Sequence, residues 1–129
     1  MKPSLKKFIP AICWLCISTV LLTIPGSALP KESWLDNLHL DKIVHAGLFS
    51  MLVFLSFLPI AKVGHPQGKL KVVLLKIAAV ALIYGVLMEF VQKFWIPKRS
   101  FDVFDILADG IGSFLPFMFF KQIMKLGKK

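Results

Sequence analysis

Residues 72–95 read VVLLKIAAVALIYGVLMEFVQKFW, an apolar run with Lys76 near its start and Glu89 and Gln92 near its end. An α-helix rises about 1.5 Å per residue, so about 20 apolar residues cross a hydrocarbon layer of about 30 Å. The run is long enough to do so, and Lys76 lies close enough to one end for its ammonium to reach the headgroups. A backbone in lipid has no water to bond with, so a helix is the expected conformation. Three further runs follow the same rule: residues 8–24, closed by Pro25 and Gly26; residues 43–61, interrupted only by His45 and two serines; and residues 103–120, which contain Asp105 and Asp109. The alternation of a membrane barrel is missing. The expected fold is an all-α integral membrane protein, a single domain over residues 1–129 with four transmembrane helices.

Composition supports this and excludes other classes. Of the 129 residues 57% are hydrophobic, twelve of them Phe, more apolar surface than a soluble domain of this length can bury. The formal charge of +9 comes from lysines in short clusters beside the apolar runs. No nucleic-acid motif accompanies them, so the expected partner is the bilayer, including anionic lipid, and not nucleic acid. Cys13 and Cys16 have C-x-x-C spacing but lie inside the first run, with no second Cys or His pair to complete a zinc site. They read as small apolar side chains.

The basic residues set the orientation. Lys2, Lys6 and Lys7 precede the first span, Lys62, Lys69, Lys71 and Lys76 lie at the second connection, and Lys121, Lys125, Lys128 and Lys129 follow the fourth. These eleven of the sixteen Lys and Arg residues share one side with no acid, whereas all seven carboxylates fall on the other with Lys31, Lys42, Lys93, Lys98 and Arg99. The positive-inside rule places both termini in the cytoplasm. A basic start, an apolar run and Gly26-Ser27-Ala28 also resemble a cleaved secretory signal. The run is long for that purpose and Pro30 follows closely, so a retained span is the preferred reading. The outer loop over residues 30–40, with Trp34, Leu35 and Leu38, reads as an ordinary loop with an aromatic anchor, and Glu32 and Asp36 as its charges.

The remaining acids are costly where they stand. A charge at the centre of a span costs roughly 2.5–3.5 kcal/mol on insertion scales, so intramembrane acids are functional candidates. Asp41 lies four residues before His45, one turn above it on the same face, where it can hold the imidazole in one tautomer. Glu89 and Gln92 occupy neighbouring faces of the third span. Asp102, Asp105, Asp109 and Gly112 follow at steps of three, four and three, a stripe of roughly 80° at about 100° per residue. Counted from Asp102, Asp109 lies about 10 Å deeper. All three helices therefore bring polar faces to one leaflet, and the expected site is an outward-facing polar pocket between spans 2, 3 and 4. Its candidate residues are Asp41, Lys42, His45, Glu89, Gln92, Arg99, Asp102, Asp105 and Asp109. Asp102 or Ser100 has a second reading as the cap of the fourth helix.

Taken together, Asp41-Lys42-Ile43-Val44-His45, Glu89-Phe90-Val91-Gln92, Arg99-Ser100-Phe101-Asp102-Val103-Phe104-Asp105 and Gly112 resemble the VanZ-like family of small multi-span bacterial membrane proteins. The resemblance covers residues 41–112 in matching order. It implies a place in the bacterial cytoplasmic membrane and the cell envelope, and its founding members are linked to reduced susceptibility to glycopeptide antibiotics of the teicoplanin type. It supplies no established reaction. The chain departs from the family at Asp109, where Asn is usual, and at Pro116, near which a small residue is common. An ionised Asp109 needs a cationic partner, for which Arg99, Lys42 or a metal are the candidates.

Two functions follow as expectations. The first is a non-catalytic envelope protein whose pocket binds a lipid headgroup, an envelope precursor or a glycopeptide antibiotic, Lys42 and Arg99 taking a phosphate. The alternative is a membrane-embedded enzyme acting on a lipid-linked substrate. There His45, Glu89 and Asp105 are the catalytic candidates, by acid/base chemistry or through a divalent metal on a His/Glu/Asp cluster. No organic cofactor is expected. A transporter fits less well, because no polar relay continues to the lysine-rich side.

Overall fold

The computed structural model describes residues 2–28 and 39–128. The loop expected to carry Lys31, Glu32, Trp34, Leu35, Asp36 and Leu38 lies outside the described residues. A 3-10 turn, Leu5–Phe8, leads into helix α1, Ile9–Leu22, with Pro10 in the first turn, where its missing N–H leaves no bond unmade. A second 3-10 turn, Gly26–Ala28, follows. The remaining helices are α2, Leu40–Ala61; α3, Gln67–Trp95; α4, Val103–Met118; and α5, Phe120–Gly127. The described residues contain no strand.

Three stretches, Leu5–Leu22, α2 and α3, are long and apolar enough to cross a membrane. The fourth expected span departs from the straight helix anticipated over 103–120. That region is α4 followed by α5, bent by 60° at Phe119, so the described residues hold three candidate spans, or four if the bent pair is one. Pro116 supplies the reason, since its ring removes the hydrogen bond that the Gly112 carbonyl would otherwise receive and weakens the helix just before the break. α3 stops after Trp95, because Ile96 takes the extended backbone that the following Pro97 requires. It begins earlier than its apolar run, at Gln67 directly after Pro66, because a polar turn can extend beyond the hydrocarbon.

α2 is the central element, packed on α4 over its most extensive interface, on α3 and on α1. Its buried Phe49, Val53 and Phe57 meet Leu70, Leu74 and Ala78 of α3. At the lysine-rich end α5 folds back under the bundle. Phe120 packs its ring 6.0 Å from that of Phe57, and Gly127 lies against Ala61. α1 is fastened by Trp14 Nε1 donating to the Leu48 carbonyl at 2.9 Å, and by a 2.8 Å hydrogen bond between the Thr19 and Tyr84 hydroxyls. The outward surface carries Ile12, Ile17, Val80, Ile83, Leu87 and Ile111, all exposed, a surface suited to lipid. Cys13 and Cys16 are unpaired and exposed on α1.

The connectivity sorts the charges. The starts of α2 and α4 and the end of α3 meet at one end of the bundle with the acids, while Gln67, Lys121, Lys125 and Lys128 line a small groove at the other.

Candidate functional site

The site begins with the N-terminus of α4. Asp102 stands in extended backbone at the cap position, and its Oδ1 accepts from the Phe104 N–H at 2.8 Å. Its other oxygen, Oδ2, accepts from Lys42 Nζ at 2.6 Å. Asp102 thus serves as the cap expected of it with one oxygen and pairs with Lys42 through the other.

Lys42 is the hub. From the first turn of α2 its ammonium donates to Asp41, Asp102 and Asp105, each at 2.6 Å. An ammonium has three donors, and here Lys42 gives all three to carboxylates, so the phosphate expected of it would have to displace one of them. Three carboxylates around one ammonium leave two negative charges in excess. The Lys42 ammonium holds the Asp102 carboxyl below the usual carboxylate range.

One turn deeper, His45 Nδ1 lies 2.7 Å from Asp109 Oδ1, and Nε2 lies 3.7 Å from Asp105 Oδ2. The partner that orients the imidazole is therefore Asp109 on the facing helix and not Asp41, which turns to Lys42 and stays exposed. Asp109 finds its hydrogen-bond partner in His45, and neither Arg99 nor Lys42 pairs with it. With Asp109 ionised its carboxylate only accepts, so Nδ1 then carries the proton of this pair and Nε2 keeps its lone pair when the ring is neutral.

Glycines make the approach possible. A Cβ on Gly112 would fall 2.2 Å from the Ala46 carbonyl oxygen, so α2 and α4 meet backbone to backbone beside His45. A Cβ on Gly85 would fall 2.6 Å from Asp109 Oδ2, which shows that the bare helix of α3 makes room for this carboxylate.

Glu89 completes the cluster from α3. Its Oε2 accepts from the Asp102 N–H at 3.0 Å, while Oε1 is buried without a hydrogen-bond partner. Leaving a buried acceptor unmet costs about 1–3 kcal/mol, more when it is charged. Exposure falls from the lip inward: Asp105 is 8% exposed, His45 5%, and Glu89 and Asp109 1% each. Donor atoms of His45, Glu89 and Asp109 lie within 4.8 Å of one another, as do those of Asp41, Asp102 and Asp105.

Two candidates turn elsewhere. Gln92 Nε2 donates to the Leu22 carbonyl at 2.8 Å, and an Arg99 guanidinium nitrogen reaches the same oxygen at 3.4 Å. The end of a helix leaves carbonyls without partners, and these two side chains serve the end of α1 instead of the acids. Gly26 N–H, donating to the Pro97 carbonyl at 3.1 Å, draws the same ends together. Gln92→Leu is expected to cost about 1–3 kcal/mol and to loosen α1 before the rest of the bundle. Thermal unfolding in detergent, read by exchange of α1 amides, checks this, and wild-type protection of α1 in the variant would refute it.

Ser113, fully buried with its hydroxyl unpartnered, was not among the candidates. Its signal was available, since it lies four residues after Asp109 and extends the same face one turn deeper. Seven of the nine candidate residues thus form one connected cluster. Comparison of the chain with protein-family models, with curated proteins and with solved structures gives no match.

Proposed function

We propose that this chain is a VanZ-like multi-pass protein of the bacterial cytoplasmic membrane, both termini cytoplasmic, whose acid-rich cluster faces outward. There it binds the cationic group of a lipid headgroup or lipid-linked envelope precursor. The observation that carries the reading is the saturation of Lys42 by three carboxylates at 2.6 Å. With no free ammonium at the lip and two negative charges in excess, the complementary ligand is an amine and not a bare phosphate. The lysine distribution supports the orientation, and the motifs within residues 41–112 support the family. An apolar groove of about 600 Å³ between α2 and α4–α5 supports a lipid ligand. It runs from Ile43, next to Lys42, past Ser50 and Leu115 to Leu126, a course that an acyl chain can follow.

The test uses the full chain in nanodiscs containing equal phosphatidylethanolamine and phosphatidylglycerol, with co-purifying lipid measured by mass spectrometry. Enrichment of the ethanolamine lipid is expected, and Asp102→Asn with Asp105→Asn should lower it about tenfold, the loss of one charge-assisted bond. Equal retention of both lipids by wild type would end the proposal.

The pairing of His45 with Asp109 favours a second reading, acid/base chemistry on a lipid-linked substrate, with Nε2 as the base and Glu89 beside it. Lipid-linked precursors incubated with wild type and with Glu89→Gln would then give different products. Identical products would exclude it.

A further inference from the structure

Two groups of three donor residues share the same close spacing, yet only one of them has its cation. Around Asp41, Asp102 and Asp105 the Lys42 ammonium lies 2.6 Å from an oxygen of each. Around His45, Glu89 and Asp109 the described residues place no lysine or arginine. Here the second oxygen of Glu89 is buried without any donor, and Asp109 receives only the His45 N–H. These three residues come from three helices, and one donor atom of each lies within 4.8 Å of the others. Two atoms bound on opposite sides of one ion at about 2.0–2.4 Å are about 4.0–4.8 Å apart. The set therefore fits within a single coordination sphere.

We propose that His45, Glu89 and Asp109 bind one divalent first-row metal ion, of the zinc or manganese class, at the centre of the three-helix cluster. An imidazole nitrogen beside two carboxylates suits these ions better than calcium or magnesium, which prefer an all-oxygen set, and better than soft copper(I), which prefers sulfur. The dication balances the two carboxylates within the span and gives the unpartnered Glu89 oxygen a ligand. It also ties α2, α3 and α4 together at one point, while the shallower acids around Lys42 stay free for a headgroup amine. The inference rests on the reading of this cluster as the functional site.

The full chain, purified in detergent and stripped with chelator, is titrated with Zn²⁺ or Mn²⁺ alone by calorimetry, and bound metal is counted by mass spectrometry. One ion per chain is expected, with affinity at least tenfold weaker in Glu89→Gln and in Asp109→Asn. His65→Ala, in the connection between α2 and α3, should bind as wild type does. Equal binding by wild type and Glu89→Gln, or binding lost with His65→Ala, overturns the proposal. Should the carboxylate variants fail to fold, Co²⁺ added to the wild-type chain decides. Visible bands of a nitrogen- and oxygen-ligated ion support the site, and the spectrum of the hydrated ion overturns it. A chain that takes up no added metal yet still enriches phosphatidylethanolamine overturns the ion alone. One bound ion without lipid preference supports the ion and overturns the headgroup reading alone.

Discussion

Gly112→Ala is expected to destabilise the bundle by about 3 kcal/mol or more, above the usual range for an added methyl group in a packed interior. The new Cβ would meet the carbonyl oxygen, Cα and carbonyl carbon of Ala46 at 2.2, 2.7 and 2.8 Å. These are backbone atoms of a helix and cannot rotate aside as a side chain can. α2 and α4 would have to part, and with them the pairs from Lys42 to Asp105 and from His45 to Asp109. Two neighbouring glycines serve as controls. A Cβ on Gly110 meets only Leu82 Cδ1 at 3.6 Å, and one on Gly47 meets nothing within 4 Å. Gly47→Ala should raise stability by about 0.5–1 kcal/mol through helix propensity. Unfolding midpoints in denaturing detergent measure all three, and equal midpoints for Gly112→Ala and Gly110→Ala would refute the close approach.

Lys42→Met is the second large effect. It leaves Asp41, Asp102 and Asp105 facing one another without their shared cation. Removing one partner of a buried ion pair costs about 3–5 kcal/mol, and because Asp41 and Asp102 keep contact with solvent the expected loss here is about 2–3 kcal/mol. Adding Asp105→Asn should restore more than half of it, by removing the least exposed of the three charges. The loss should depend on pH in one direction. Asp102 is held below the usual carboxylate range by Lys42. Its contribution is therefore complete above the unfolded value of about 4 and disappears as pH falls through the lower folded value. The gap between wild type and Lys42→Met should thus be full at neutral pH and narrow in acid. A gap that widens in acid would contradict the clamp.

The helices and their polar end were legible because hydropathy and lysine placement act over whole segments. Pairings within the cluster were less so. Asp41 and His45 share a face of one helix, yet the partner of His45 comes from α4, because Gly112 and Gly85 bring that helix close enough for Asp109 to reach it. The directions of Gln92 and Arg99 depended on where α1 ends, and no spacing within the third span announces the Leu22 carbonyl. The bend at Phe119 followed from Pro116, which is visible in the sequence, but a proline inside an apolar run does not say how far the chain turns.

The unequal lengths of α3 and α4 decide how each can cross a bilayer. With 29 residues α3 is about 44 Å long, whereas α4, with 16, is about 24 Å, shorter than a hydrocarbon layer of about 30 Å. The remainder falls to α5, whose eight residues, about 12 Å long, add about half of that along the α4 axis after the 60° bend. The bent pair then reaches about 30 Å with nothing to spare. In the orientation proposed above, Asp102 and Asp105 at the head of α4 therefore stand at headgroup level, and a lipid meets them without leaving its leaflet.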